Sequence, residues 1–237
     1  MDRVAIEGFH ALKHAHRFGA VLDEVAVADR SAALALADDL APDLRPVLEG
    51  ATEIGVDGIA RWTTRPVPTG VVCRARRPEQ DVDRALEGAG PVVLLDHPRD
   101  PGNVGAAIRV SAAAGAAVVL VTGPVDPWHP ACVRGAAGLQ FAQPVIGLPD
   151  LPADLRDRPI VAVDPEGERS LDDPGPLAGA RPVLAFGTER HGLGPEVRRR
   201  AAVSLAIPMR DGVSSLNLAT SVAVVLYGLR TARAADG

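Results

Sequence analysis

Ile207-Pro208-Met209-Arg210-Asp211-Gly212-Val213-Ser214-Ser215-Leu216-Asn217, running into the apolar segment Leu218 to Tyr227, is the stretch on which the reading of this chain turns. Val203 to Ile207 has strand character, and Pro208 halts further pairing. Asp211-Gly212 makes a turn. Ser214, Ser215 and Asn217 then gather at the start of a long apolar helix expected from about Leu216 to Leu229. One serine there is usually a cap; the whole run is harder to explain that way. Upstream, the strand Val183 to Phe186 exits into Gly187-Thr188-Glu189, and His191-Gly192-Leu193 follows. A glycine at a strand exit lets a ligand approach the backbone, and the carboxyl ends of strands are where α/β proteins hold ligands.

Further outward lies Asp100-Pro101-Gly102-Asn103-Val104-Gly105-Ala106-Ala107-Ile108-Arg109. Asn103 is expected to cap an Ala-rich helix ending near Gly115. Arg109 sits six residues on. A helix start with an arginine in reach suits a phosphate-bearing ligand, although a plain cap and a solvated arginine fit the local residues as well. Gly102, Gly105 and Gly115 do not space as GxGxxG, so the dinucleotide fingerprint fails.

Apolar stretches of strand length alternate with amphipathic ones along the chain, which argues an α/β fold. Residues 1–80 read as a small unit. It has helices over Ile6 to Phe18, Ala32 to Leu40 and Ala51 to Trp62, and strands over Glu24 to Val27, near Pro46 to Leu48 and over Gly70 to Cys73. A polar connector leads to a second unit, 88–237. That unit opens with Pro91-Val92-Val93-Leu94-Leu95, a continuous apolar run typical of a buried parallel strand. Strands over Ala117 to Val121 and Ile160 to Val163 and helices over Cys132 to Ala137 and Pro195 to Ala201 continue it.

The 237 residues carry a net charge of −5, so no global basic field marks a nucleic-acid partner, and charge alone favours an acidic enzyme of small-molecule metabolism. Local patches run the other way. Gly58 to Pro78 holds Arg61, Arg65, Arg74, Arg76 and Arg77 with no acid, and His10, Lys13, His14, His16 and Arg17 form a second cluster. Such patches suffice for phosphate contacts, and each also fits an ordinary solvated face. Cys73 and Cys132 stand far apart with no CxxC spacing, which predicts neither zinc site nor disulfide and suits a reducing cytoplasm. No apolar run is long enough to cross a membrane.

Together and in this order, the three motifs resemble those of the SpoU (TrmH-type) RNA ribose 2'-O-methyltransferases of the SPOUT superfamily. That family's first motif carries an Asn and an Arg, which fall on Asn103 and Arg109. Its Gly-x-Glu falls on Gly187 and Glu189. Its Ile-Pro-Met and Ser-Leu-Asn fall on Ile207 to Met209 and Ser215 to Asn217. Asp211 stands where a Gly is common, and Gly228 where an acid often follows the Tyr. The resemblance covers about 91 to 229. More weakly, Ile6-Glu7-Gly8 and Val67 to Val72 resemble the family's L30e-like substrate-binding domain.

The resemblance implies a C-terminal α/β trefoil-knot domain behind a small L30e-like α/β domain, assembled as a homodimer without metal. It implies S-adenosylmethionine held by Phe186, Gly187, Gly192, Ile207, Met209, Ser215 and Leu216. Asn103, Arg109, Glu189, Ser215 and Asn217 form the catalytic group, and Lys13, Arg17, Arg74, Arg76 and Arg77 meet RNA. The substrate is expected to be 23S ribosomal RNA, including the antibiotic-resistance type, because TrmH-type transfer-RNA enzymes often lack the N-terminal domain. The competing readings are a transfer-RNA enzyme, a catalytically silent RNA-binding relative and a nucleotide-dependent metabolic enzyme.

Overall fold

A computed structural model describes residues 2–178, 180–188 and 191–235. The chain forms two compact units, one of residues 1–79 with 128–142, the other of 80–127 with 143–237.

In the first unit, β1 (Arg3–Glu7), α1 (Phe9–Arg17), β2 (Leu22–Val27), α2 (Arg30–Leu40), α3 (Arg45–Glu49), β3 (Thr52–Glu53), α4 (Gly55–Ala60) and β4 (Val71–Arg76) follow one another. The sheet runs β1-β4-β2-β3, with β4 antiparallel to both neighbours and β2 parallel to β3. The helix expected from Ile6 starts at Phe9, because Arg3–Glu7 pairs with β4 and Gly8, at φ 101°, turns the chain between them. Pro46-Val47-Leu48 is helical, not a strand: Pro46 occupies the first turn of α3, where its missing N–H costs nothing. The helix expected over Ala51 to Trp62 is split by Gly55, at φ 68°, into β3 and α4.

The second unit contributes α5 (Val82–Leu86), β5 (Val92–Leu95), α6 (Pro101–Ala114) and β6 (Val118–Thr122). Residues 128–142, with α7 (Pro130–Gly135), then return to the first unit. There Arg134 pairs with the buried carboxylate of Glu7, and the His14 Nδ1 lies 2.7 Å from the Ala137 carbonyl. By position along the chain this segment is expected in the second unit, 88–237; the fold places it in the first. Nothing in its residues announces that its partners lie more than a hundred positions upstream.

β7 (Val145–Leu148), β8 (Ile160–Val163), β9 (Arg169–Ser170), β10 (Val183–Phe186), α8 (Pro195–Arg200), β11 (Ala201–Ala206) and α9 (Leu218–Ala235) complete the chain. The second sheet is parallel throughout, in the order β7-β6-β5-β10-β8-β11-β9. Val92–Leu95, Val118–Val121 and Val183–Phe186 are buried over their whole length, as strands covered on both faces must be. The strand order reverses between β5 and β10, the kind of switch point near whose carboxyl ends such sheets receive ligands. Helix α6 packs against α9. Its cap is Asp100, whose Oδ1 accepts the Asn103 N–H at 2.7 Å, so Asn103 lies inside the first turn and is not the cap expected of it. Pro101 at the first helical position fixes that choice.

Candidate active site

A cavity of about 390 Å³ opens at the carboxyl ends of β8 and β10. Phe186, Gly187, Gly192, Ile207, Met209, Ser215 and Leu216 all line it, together with Val163 to Pro165, Thr188, His191, Arg198, Ser214, Leu218 and Ser221. The chain leaving β10 folds back on itself: Thr188 and Gly192 exchange both backbone hydrogen bonds, at 2.9 and 3.1 Å. Glu189, expected in the catalytic group, lies outside the described residues, as does Arg190.

Gly187 has a tighter role than ligand clearance. A Cβ on it would stand 2.1 Å from the Gly192 carbonyl carbon and 2.3 Å from the Leu193 nitrogen. The missing side chain lets the returning loop lie against the strand end, and the loop then forms the cavity wall. The loop's exit is pinned by Asp96, which directly follows β5. Its N–H donates to the Phe186 carbonyl at 2.8 Å, and its Oδ2 accepts the Gly194 N–H at 2.7 Å. Its Oδ1 meets the His97 Nδ1 at 2.9 Å and the Thr122 hydroxyl at 3.2 Å, so this carboxylate, 4% exposed, is fully engaged.

The first and third motifs meet directly. The Asn217 amide donates to the Asn103 Oδ1 at 2.9 Å, while its own Oδ1 accepts the Ala219 N–H at 2.9 Å and caps α9. Asn103, Ser215 and Asn217 are thereby gathered at one end of the α6–α9 pair. Arg109, on the same helix as Asn103, is exposed, and its side chain has no hydrogen bond or ion pair among the described residues. It does not line the cavity.

Charge in the cavity comes from groups that sequence reading missed. The Asp164 Oδ2 pairs with the Arg198 Nη1 at 2.8 Å, and the Arg198 Nε donates to the Leu193 carbonyl at 3.1 Å. Asp164 follows a buried strand, the same signal that singled out Gly187. Arg198 sits in a run of three arginines and carries no such signal.

In the first unit the arginines have acquired partners. Arg74 pairs with Glu24 at 3.2 Å and lies over the Trp62 ring, Arg76 pairs with Asp23 at 3.0 Å, and Arg77 with Asp2 at 3.4 Å. Arg17 grips Asp43 through two bonds of 2.7 Å, which holds that carboxyl down at about 2. Arg61 and Arg65 are exposed, Lys13 is half-buried, and none of the three has an ion pair among the described residues. No described helix is long and apolar enough to cross a membrane.

The pattern of the SpoU rRNA Methylase family matches residues 90–227. The 23S rRNA (guanosine(2553)-2'-O)-methyltransferase RlmP of Bacillus subtilis is 26% identical over 95% of this chain and 87% of its own length. The 23S rRNA (uridine(2479)-2'-O)-methyltransferase of Streptomyces viridochromogenes is 32% identical over 68% of this chain, which spans 59% of that relative's length. Among solved structures, the AdoMet-bound rRNA methyltransferase from Sinorhizobium meliloti superposes with a TM-score of 0.77 and 26% identity, over 97% of this chain and 87% of that one. With its two-unit α/β architecture and more than half of its length matched, this chain belongs to the SpoU rRNA Methylase family.

Proposed function

We propose that this protein transfers a methyl group from S-adenosylmethionine to a ribose 2'-hydroxyl of RNA, with 23S ribosomal RNA as the substrate. The observation that carries this reading is the convergence of three motifs, dispersed over 115 positions from Asn103 to Asn217, on one cavity and the helix pair beside it. The 2'-O specificity and the 23S substrate are supported by the names of the two curated relatives.

The cavity fits the cofactor. Its volume falls in the range of small-molecule sites. Phe186, Ile207, Met209, Leu216 and Leu218 offer apolar contact for a purine, and Ser214, Ser215 and Ser221 offer hydroxyls. Gly187 and Gly192 bring main chain to the cavity wall, the first because its missing side chain lets the loop pack against the strand end. When bound, S-adenosylmethionine supplies an electrophilic methyl on its sulfonium, so the protein's task is to place and activate the hydroxyl.

Arg109 is the group for that task. A guanidinium stays protonated and is no ordinary base, so it binds the phosphate beside the target ribose and stabilises the negative charge that develops on the 2'-oxygen as its proton is lost to solvent. Asn103 and Asn217 hold the first turn of α6 against the third motif and so fix where Arg109 stands relative to the cavity. Ser215 shapes the boundary between nucleotide and cofactor, and Glu189 belongs to the same group by its motif. The first unit meets RNA through Lys13 and its arginines. The protein works as a homodimer in the cytoplasm.

Mapping ribose methylation in ribosomal RNA from a deletion strain tests the reading. One 2'-O-methyl mark should vanish and return when the purified protein and S-adenosylmethionine are added to the unmodified RNA. If all marks persist and the purified protein fails to bind S-adenosylhomocysteine, the reading is wrong.

A further inference from the structure

Arg198 is the only fixed cation among the described residues lining the cavity. Two of its three nitrogens are committed: Nη1 to Asp164 at 2.8 Å and Nε to the Leu193 carbonyl at 3.1 Å. Asp164 is in turn held, its Oδ1 accepting the Glu166 N–H at 3.1 Å. The guanidinium is therefore clamped between the end of β8 and the loop that returns from β10. Its third nitrogen, Nη2, has no hydrogen-bond partner among the described residues. It lies 3.0 Å from where a Cβ on Gly192, itself a cavity-lining residue, would stand. A planar cation with two arms anchored and one arm open is preorganised for an anion, because little rotamer entropy remains to be lost. The anion that the proposed cofactor brings is the carboxylate of its amino-acid end.

We propose that Arg198 is a specificity-determining residue for the cofactor. It reads the α-carboxylate of S-adenosylmethionine through Nη2, with Asp164 as the positioning residue that aims it. Resting on the methyltransferase reading above, the inference adds the group that tells the intact cofactor from analogues lacking the carboxylate.

Calorimetry with two probes, S-adenosylmethionine and its decarboxylated analogue, isolates the contact, because the probes differ only in that carboxylate. The parent protein should prefer S-adenosylmethionine by about tenfold or more, the scale of one charge-assisted hydrogen bond. Arg198→Met should erase the preference, weakening S-adenosylmethionine about tenfold while the analogue stays within about twofold. Arg198→Lys, which keeps charge and most of the bulk, covers the case in which the Met variant melts early. It should lose most of the preference, because an ammonium cannot hold both anchors and an open arm at once. Equal weakening of both probes would make Arg198 a structural clasp and overturn the inference, as would a variant that keeps the parent's preference. Failure of the parent to bind either probe would overturn the methyltransferase reading itself, whereas a parent that binds both alike leaves that reading standing and removes only the role of Arg198.

Discussion

The Asn217 side chain donates to the Asn103 side chain at 2.9 Å across 114 positions of sequence, and with its other end it caps α9. One amide thus serves two purposes that substitutions can separate. Asn217→Asp keeps the acceptor that caps the helix and removes the donor that reaches Asn103. It should melt near the parent temperature yet methylate RNA at least about tenfold more slowly. Asn217→Ala loses both and should in addition lose about 1 kcal/mol of stability, the ordinary worth of an N-cap. Equal rates for the Asp variant and the parent in single-turnover methylation would show that the contact is not needed to place the first motif.

Gly187→Ala tests the packing of the loop after β10. The added carbon falls 2.1 Å from the Gly192 carbonyl carbon, which is backbone and cannot swing aside. The strand end and the returning loop must separate, at a cost of about 1–3 kcal/mol by analogy with overpacked cores. S-adenosylhomocysteine binding should disappear with it, since Gly187, Thr188, His191 and Gly192 all line the cavity. A variant with parental melting temperature and parental affinity would show that the loop has room that this geometry denies it.

What the sequence made legible, and what it hid, follows from how far apart the interacting groups lie. Val92–Leu95 and Val183–Phe186 were readable because strands buried on both faces need uninterrupted apolar residues. The cavity residues were readable because the motifs are local runs. Local runs also misled: Pro46-Val47-Leu48 has strand composition but begins a helix, and Asp100 and Asn103 are both good caps, so that only the proline between them decides. Pairings between distant segments left no trace. Gly58 to Pro78 contains no acid, yet β2 sets Asp23 and Glu24 beside Arg76 and Arg74. Asp164 and Arg198 meet in the same way, over 34 positions.

Those pairings change what is expected of RNA binding. An arginine that already holds a carboxylate must give it up, or share it, before it can neutralise a phosphate. Replacing Arg61 and Arg65 by Ala should therefore lower the slope of log affinity against log salt by nearly two, about 0.9 per phosphate contact. The triple change Arg74→Ala, Arg76→Ala and Arg77→Ala should lower it by less than three contacts' worth, since these arginines already hold Glu24, Asp23 and Asp2, the first two of which Arg3 also holds. Anisotropy titrations at several salt concentrations measure both. A larger effect from the triple change would place the phosphate contacts on β4 and its extension.

Cys73 lies on β4 at 1% exposure, and burial, with Asp23 and Glu24 adding to it, pushes its thiol up to about 12. The folded state therefore keeps the proton longer than the unfolded chain, whose thiol titrates near 9. The contribution of this group to stability is complete below about 9 and is lost as pH rises from there toward about 12. Cys132 is equally buried. Neither thiol should react with a disulfide reagent at pH 8 until denaturant is added, when both should react together. Rapid labelling of one thiol in the native protein would reveal local opening of the strand or helix that carries it.

Arg109 allows the sharpest test of the chemistry, because its exposure removes the usual ambiguity between function and folding. The side chain projects from α6 with no described partner, so truncating it should leave the melting temperature close to the parent's, within the about 0.5 kcal/mol typical of surface changes. It does not line the cavity, so cofactor affinity should also hold. If its guanidinium stabilises negative charge that appears on the 2'-oxygen only as the proton leaves on the way to the transition state, the whole loss falls on the rate. Arg109→Ala should slow single-turnover methylation by about a hundredfold or more, the scale of a lost oxyanion donor. Arg109→Lys should recover little, because a compact ammonium cannot reproduce a two-pronged contact with a phosphate. A drop in RNA affinity with an unchanged rate at saturating RNA would reassign Arg109 to ground-state binding, and parental behaviour in both would remove it from the site.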